Sequence, residues 1–165
     1  MNENGNLLKA FAMPGASVII TGAGRGIGEA TAHLFGAAGA NVAVCDLHAD
    51  RAEKVAADVA AGCNLIFFVT GNGSITMAGS MVGEVPAPEF IAYSTAKAAL
   101  KHMVRSLANA LGPAIRVNMV TIGSINTEGT YEVGYDQEMT DRLANKMVMG
   151  RRGDVADVAN AFLYL

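Results

Sequence analysis

Four alternating glycines stand between an apolar run and a helical pattern, in Thr21-Gly22-Ala23-Gly24-Arg25-Gly26-Ile27-Gly28. The run before them, Ala16 to Thr21, is short and β-branched, and reads as a strand buried on both faces. From Gly26 to Ala38, apolar residues recur at Ile27, Ala30, Leu34 and Ala38, which is helical spacing. A strand that passes into a helix through glycines gathers free N–H groups and the positive end of the helix dipole. The glycines also let phosphate oxygens approach the backbone. Gly22, Arg25, Gly26, Ile27 and Gly28 are therefore the candidate contacts to a pyrophosphate.

A second strand is predicted over Asn41 to Leu47, with Asp46 near its end. A carboxylate at that tip accepts hydrogen bonds from the hydroxyls of an adenosine ribose and repels a 2′-phosphate, so the spacing points to NAD rather than NADP. Leu47 stands beside it as a second candidate contact. Arg25 pulls the other way, since a base there can approach a 2′-phosphate, but the acid nearest the ribose governs. Asp50 and Glu53 have capping-box spacing and open a helix through about Ala61, with Gly62 as its C′ residue. Asn64 to Val69 reads as a third strand. The order β-α-β-α-β is the mononucleotide-binding half of a doubly wound parallel sheet.

The pattern then breaks. Thr70 is followed at once by Gly71-Asn72-Gly73 and a new apolar run, Ser74 to Ala78. Two buried strands joined by so tight a turn would form an antiparallel hairpin, which conflicts with the parallel alternation around it. Glu89 to Leu111 reads as a long helix with an apolar stripe at Ala96, Leu100, Met103, Leu107 and Leu111, stopping at Gly112-Pro113. Ile115 to Ile122 is a further strand, 123–134 a loop, and Asp136 to Met147 a helix. Asp154 is the expected N-cap of a last helix with Val155, Val158, Phe162 and Leu163 on one side. The pattern runs to Leu165 without a C-cap. No repeat or interdomain linker interrupts 1–165, so the chain reads as one domain.

Bulk composition narrows the partners. Hydrophobic residues make up 52% of 165, enough for a sizeable core. Net charge is −3 with no basic stripe, which argues against nucleic acid. No apolar run reaches the roughly 20 residues that cross a bilayer, and the N-terminus lacks a secretory pattern. Cys45 and Cys63 have no metal-binding or CxxC spacing. A cytoplasmic protein with reduced thiols, no metal and a small-molecule substrate is the expectation.

Tyr93 and Lys97 are four apart on the long predicted helix, so both face one way. Ser80 follows the strand before it, on a loop that can aim its hydroxyl at the same space. A free phenol, with a pKa of about 10, is a poor acid–base catalyst near neutrality. A neighbouring ammonium and an oxidised nicotinamide both favour the phenolate. Ser80 could then orient a substrate oxygen while Tyr93 exchanges its proton and a nicotinamide exchanges hydride.

The glycine loop, Ser80, Tyr93-Ser94-Thr95-Ala96-Lys97 and Ile115-Arg116-Val117-Asn118 together resemble the short-chain dehydrogenase/reductase family, in order and over nearly the whole chain. The resemblance implies a three-layer α/β/α Rossmann-like domain and hydride transfer between NAD(H) and a secondary alcohol or ketone, of hydroxysteroid or sugar-alcohol type. It implies catalysis by Ser80, Tyr93 and Lys97, with Tyr93 and Lys97 also contacting the cofactor, Lys97 at the nicotinamide ribose. Ile125 and Thr127 match the family's cofactor contacts near the carboxamide and pyrophosphate, although Ile122 replaces the usual proline of that loop. A homodimer or homotetramer is common in the family. Relative to it, about two βα units are missing at the 70/71 junction, including an asparagine-bearing helix, and a C-terminal strand is missing too, so the fold is incomplete. Two alternatives stay open: an NADP-dependent 3-ketoacyl reductase, and a non-catalytic dinucleotide-binding fragment.

Overall fold

The computed structural model describes residues 11–60, 73–128 and 136–165. The expected strand Asn64 to Val69, the turn at Gly71-Asn72, Gly62, Cys63 and the second half of the 123–134 loop lie outside these. The chain divides into two compact units, one built from its N-terminal part and 125–164, the other from the part between.

In the first unit, β1 (Ser17–Thr21) pairs in parallel with β2 (Asn41–Cys45), from Ser17 opposite Asn41 to Thr21 opposite Cys45. The crossover is α1 (Gly26–Ala37), and β2 leads into α2 (Ala49–Ala60). Two later helices, α4 (Gln137–Lys146) and α5 (Val155–Tyr164), belong to the same unit. Ala32 and Phe35 of α1, Val42 of β2, Val55 and Val59 of α2 and Leu163 of α5 close into one buried cluster. Val18, Ile20 and Val44 pack against it from the sheet.

Two expectations need correction here. β1 is buried on one face only: Ser17, Ile19 and Thr21 are exposed, Ile19 by 57%. Strand side chains alternate, and the cluster formed with the helices takes up Val18 and Ile20. Asp50 is not the N-cap of α2 but lies inside its first turn. The Asp46 carboxylate accepts the His48 N–H (3.0 Å), and the His48 carbonyl accepts the Ala52 N–H (3.1 Å), so the chain turns helical before Asp50 is reached.

The cap expected at Asp154 is present on α5, and α4 carries one at Asp136. Asp136 accepts the Met139 N–H at 2.8 Å. Asp157 reaches back to the Asp154 N–H at 2.9 Å, the N3-to-N-cap half of a capping box.

In the second unit, β3 (Gly73–Ser80) runs parallel to β4 (Ile115–Ile122), from Gly73 opposite Ile115 to Ser80 opposite Ile122. The parallel alternation thus continues on this side of β3, while the other arm of the expected hairpin lies outside the described residues. β3 is longer than predicted, and Ser80 is its last residue rather than part of the loop after it. Two 3₁₀ turns, Met81–Gly83 and Pro88–Phe90, precede α3 (Ile91–Leu111). Glu89 therefore falls in a separate turn, because Phe90 takes a non-helical conformation between it and α3. The inward face of α3 centres on Val104, with Leu100, Leu107 and Leu111 half-buried, whereas Ala96 and Met103 face outward.

No helix among the described residues is long and apolar enough to cross a membrane. Replacing the α4 cap, Asp136→Ala, orphans the Met139 N–H and should destabilise the protein by about 1 kcal/mol. A urea unfolding midpoint equal to that of the wild type would show that the cap carries no stability.

Candidate functional site

The glycine loop is shaped by backbone sterics. Gly22 and Gly26 have φ of 67° and 59°, the left-handed region that side chains disfavour. Gly28 sits where a Cβ would lie 2.1 Å from the Gly22 carbonyl oxygen, so the first turn of α1 is seated on the end of β1. The result is a shallow cavity of about 230 Å³ lined by Gly22, Arg25, Gly26, Ile27, Gly28, Thr127 and Glu128. All five loop residues expected from the sequence and Thr127 therefore meet in one place. Exposed backbone N–H groups at a helix start, beside an arginine and a threonine, suit a pyrophosphate.

Asp46 follows β2 and is tied to the same loop. Its two carboxylate oxygens accept the Gly24 N–H (2.9 Å) and the His48 N–H (3.0 Å). The His48 bond first, and the Gly24 bond next, hold its carboxyl below the ordinary value of 3.8. An anion at the strand tip suits ribose hydroxyls and opposes a further phosphate. Leu47, expected beside it, is fully exposed. Ile125 does not line the cavity; it forms a parallel bridge with Gly153. Glu128, expected at the start of a substrate-selecting loop and not among the cofactor contacts, brings an acid into the anion cradle. Its adjacency to Thr127 was the available signal.

In the second unit, Lys97 Nζ donates to the Ala78 carbonyl at 2.7 Å and stands 5.5 Å from the centroid of the Tyr93 ring. The i, i+4 spacing on α3 thus brings the ammonium over the phenol face, and β3 anchors it two residues before Ser80. Tyr93 is half exposed. The turn after Ser80 is tied to the same helix by an ion pair between Glu84 and Lys101. Among the described residues, no group of three or more His, Cys, Asp or Glu side chains could hold a metal, and Cys45 carries a free thiol.

Two family models match the chain: short chain dehydrogenase over residues 16–72, and enoyl-(acyl carrier protein) reductase over 64–165. The second covers more than half of the chain, which belongs to the short-chain dehydrogenase/reductase family. The chain is 38% identical to an NADP-dependent mannitol dehydrogenase of Hypocrea jecorina over 98 residues, covering 58% of this chain and 36% of that one. It spans little more than a third of such relatives. A 7alpha-hydroxysteroid dehydrogenase of Escherichia coli K12 is 26% identical over 224 positions, covering 93% of this chain and 88% of that one. An alignment of 224 positions holds at most 165 residues of this chain, so at least 59 have no counterpart here. The crystal structure of a short-chain dehydrogenase/reductase from Brucella melitensis, described as a glucose/ribitol dehydrogenase, overlays with a TM-score of 0.83 at 21% identity. It covers 94% of this chain and 90% of that one. The fold is accordingly α/β, of the Rossmann-like doubly wound kind.

Asp46, with its lowered pKa, stabilises the fold above the ordinary carboxylate range, and that stabilisation is lost as pH falls through the lowered value. Asp46→Asn should flatten the acid limb of stability below about pH 4. An unchanged acid limb in denaturant titrations would detach Asp46 from the loop.

Proposed function

We propose that this chain is an oxidoreductase domain, 1–165, that passes hydride between NAD(H) and a secondary alcohol or ketone in the cytoplasm. The observation that carries the reading is Lys97, whose ammonium is fixed between the Ala78 carbonyl and the Tyr93 ring.

The glycine loop would hold the pyrophosphate, Thr127 would add a hydroxyl to it, and Asp46 would hold the adenosine ribose. The nicotinamide supplies the hydride acceptor or donor. Tyr93 exchanges a proton with the substrate oxygen, Ser80 orients that oxygen, and Lys97 keeps positive charge beside the phenol while contacting the nicotinamide ribose. Met81 to Ile91, between Ser80 and Tyr93, and the loop from Glu128 to Asp136 are the stretches that would select the substrate. The names of the relatives favour a polyol or a hydroxysteroid.

NADP is the second reading, favoured by the named coenzyme of the mannitol dehydrogenase and by Arg25 in the loop. The ionised Asp46 supports NAD. Asp46→Ala should weaken NADH binding and relax discrimination against NADPH. Tighter binding of NADPH than NADH by the unmodified protein would reverse the coenzyme assignment.

Tyr93→Phe removes one oxygen from an open position, so folding and NAD binding should hold while single-turnover hydride transfer falls by about 10²–10⁴-fold. Equal rates at saturating NAD would take Tyr93 out of the mechanism. NAD binding with no turnover in the wild type would favour a non-catalytic binding module.

A further inference from the structure

Arg152 is the one charged side chain among the buried described residues, 5% exposed, and none of the roles above uses it. A guanidinium does not lose its proton, so burial requires oxygen partners. Nη2 of Arg152 donates to the Ile125 carbonyl. The next residues repeat the tie: Ile125 bridges in parallel with Gly153, and the Asn126 N–H donates to the Gly153 carbonyl at 2.8 Å. Thr127 then leans on the glycine loop, its Cβ and methyl 3.8 Å from where a Cβ on Gly26 would stand. The corner that presents Arg152 is itself braced. Arg151 donates to the Arg152 carbonyl and to Asp157, both at 3.0 Å, and the same Asp157 oxygen takes the Asp154 N–H.

We propose that Arg152 is a positioning residue for the dinucleotide site. It fixes the Ile125 carbonyl, and through 125–127 it sets Thr127 against Gly26 and so the floor of the pyrophosphate cavity. The inference rests on the dinucleotide reading above. It also separates the two halves of the ligand. AMP presents an adenosine and one phosphate, which Asp46 and the glycines serve, whereas NADH also needs Thr127 and the strip before it.

Arg152→Lys keeps the charge but loses the planar fork. Its NADH affinity, read by fluorescence titration, should fall roughly tenfold or more, the scale of one charge-assisted hydrogen bond, while AMP affinity stays within about twofold. Without ligand, hydrogen exchange at the Asn126 amide should quicken. A parallel loss of AMP and NADH binding would mean that Arg152 only holds the unit together, and overturns the proposal. Unchanged NADH affinity in the variant overturns it and leaves the dinucleotide reading standing. Wild-type protein that binds neither AMP nor NADH brings down that reading and the inference with it. Should Arg152→Lys not fold, unchanged exchange at Asn126 in Arg151→Met, which loosens the same corner, also overturns it.

Discussion

The nucleotide half of the molecule depends on how close α1 starts to the end of β1. At Gly28 there is no room for even one carbon beside the Gly22 carbonyl. That contact turns the first N–H groups of the helix toward one small space instead of letting the chain drift outward. The in-register pairing of Thr21 with Cys45 then delivers Asp46 next to the same loop, where its carboxylate takes the Gly24 N–H. A pattern of glycines spaced two apart and an acid just past the following strand thus becomes a single bonded unit.

Charge around this unit is mixed rather than uniformly basic. Arg25 and Glu128 line the same cavity, and Asp46 holds the neighbouring strand tip. Attraction for the proposed diphosphate would come from backbone dipoles and one guanidinium, set against two carboxylates. On the dinucleotide reading proposed above, a further anionic group would meet repulsion that the backbone N–H groups do not offset.

Much of this was legible in the sequence, because local chemistry dictates it. The glycine loop, the Asp154 cap and the Tyr93–Lys97 pair all follow from spacing within a few residues, whereas β2 stops at Cys45, short of Leu47, and β3 runs on to Ser80. What escaped depends on distant partners. An alanine-rich helix such as α3 offers small residues on several faces, so its burial centred on Val104 and not on Met103. β1 reads as doubly buried until its packing partners are known. Nothing in the sequence singles out Arg152, since only the fold brings the Ile125 carbonyl to it. Asp46 moved the start of α2 through a side-chain bond that competes with the expected cap at Asp50.

Both sheets have a kinetic consequence as well. Each joins strands in parallel, so no pair of neighbours can form from a tight turn. Ser17 meets Asn41 and Gly73 meets Ile115, partners 24 and 42 residues apart. A whole helix must be laid down before either ladder can close, and the entropy of that closure precedes any return from it. Folding of this chain is therefore governed by long-range encounters. During that interval, the unpaired edges of β1 and β3 are templates for other chains, and dilution or a chaperone protects the molecule more than any added local stability does.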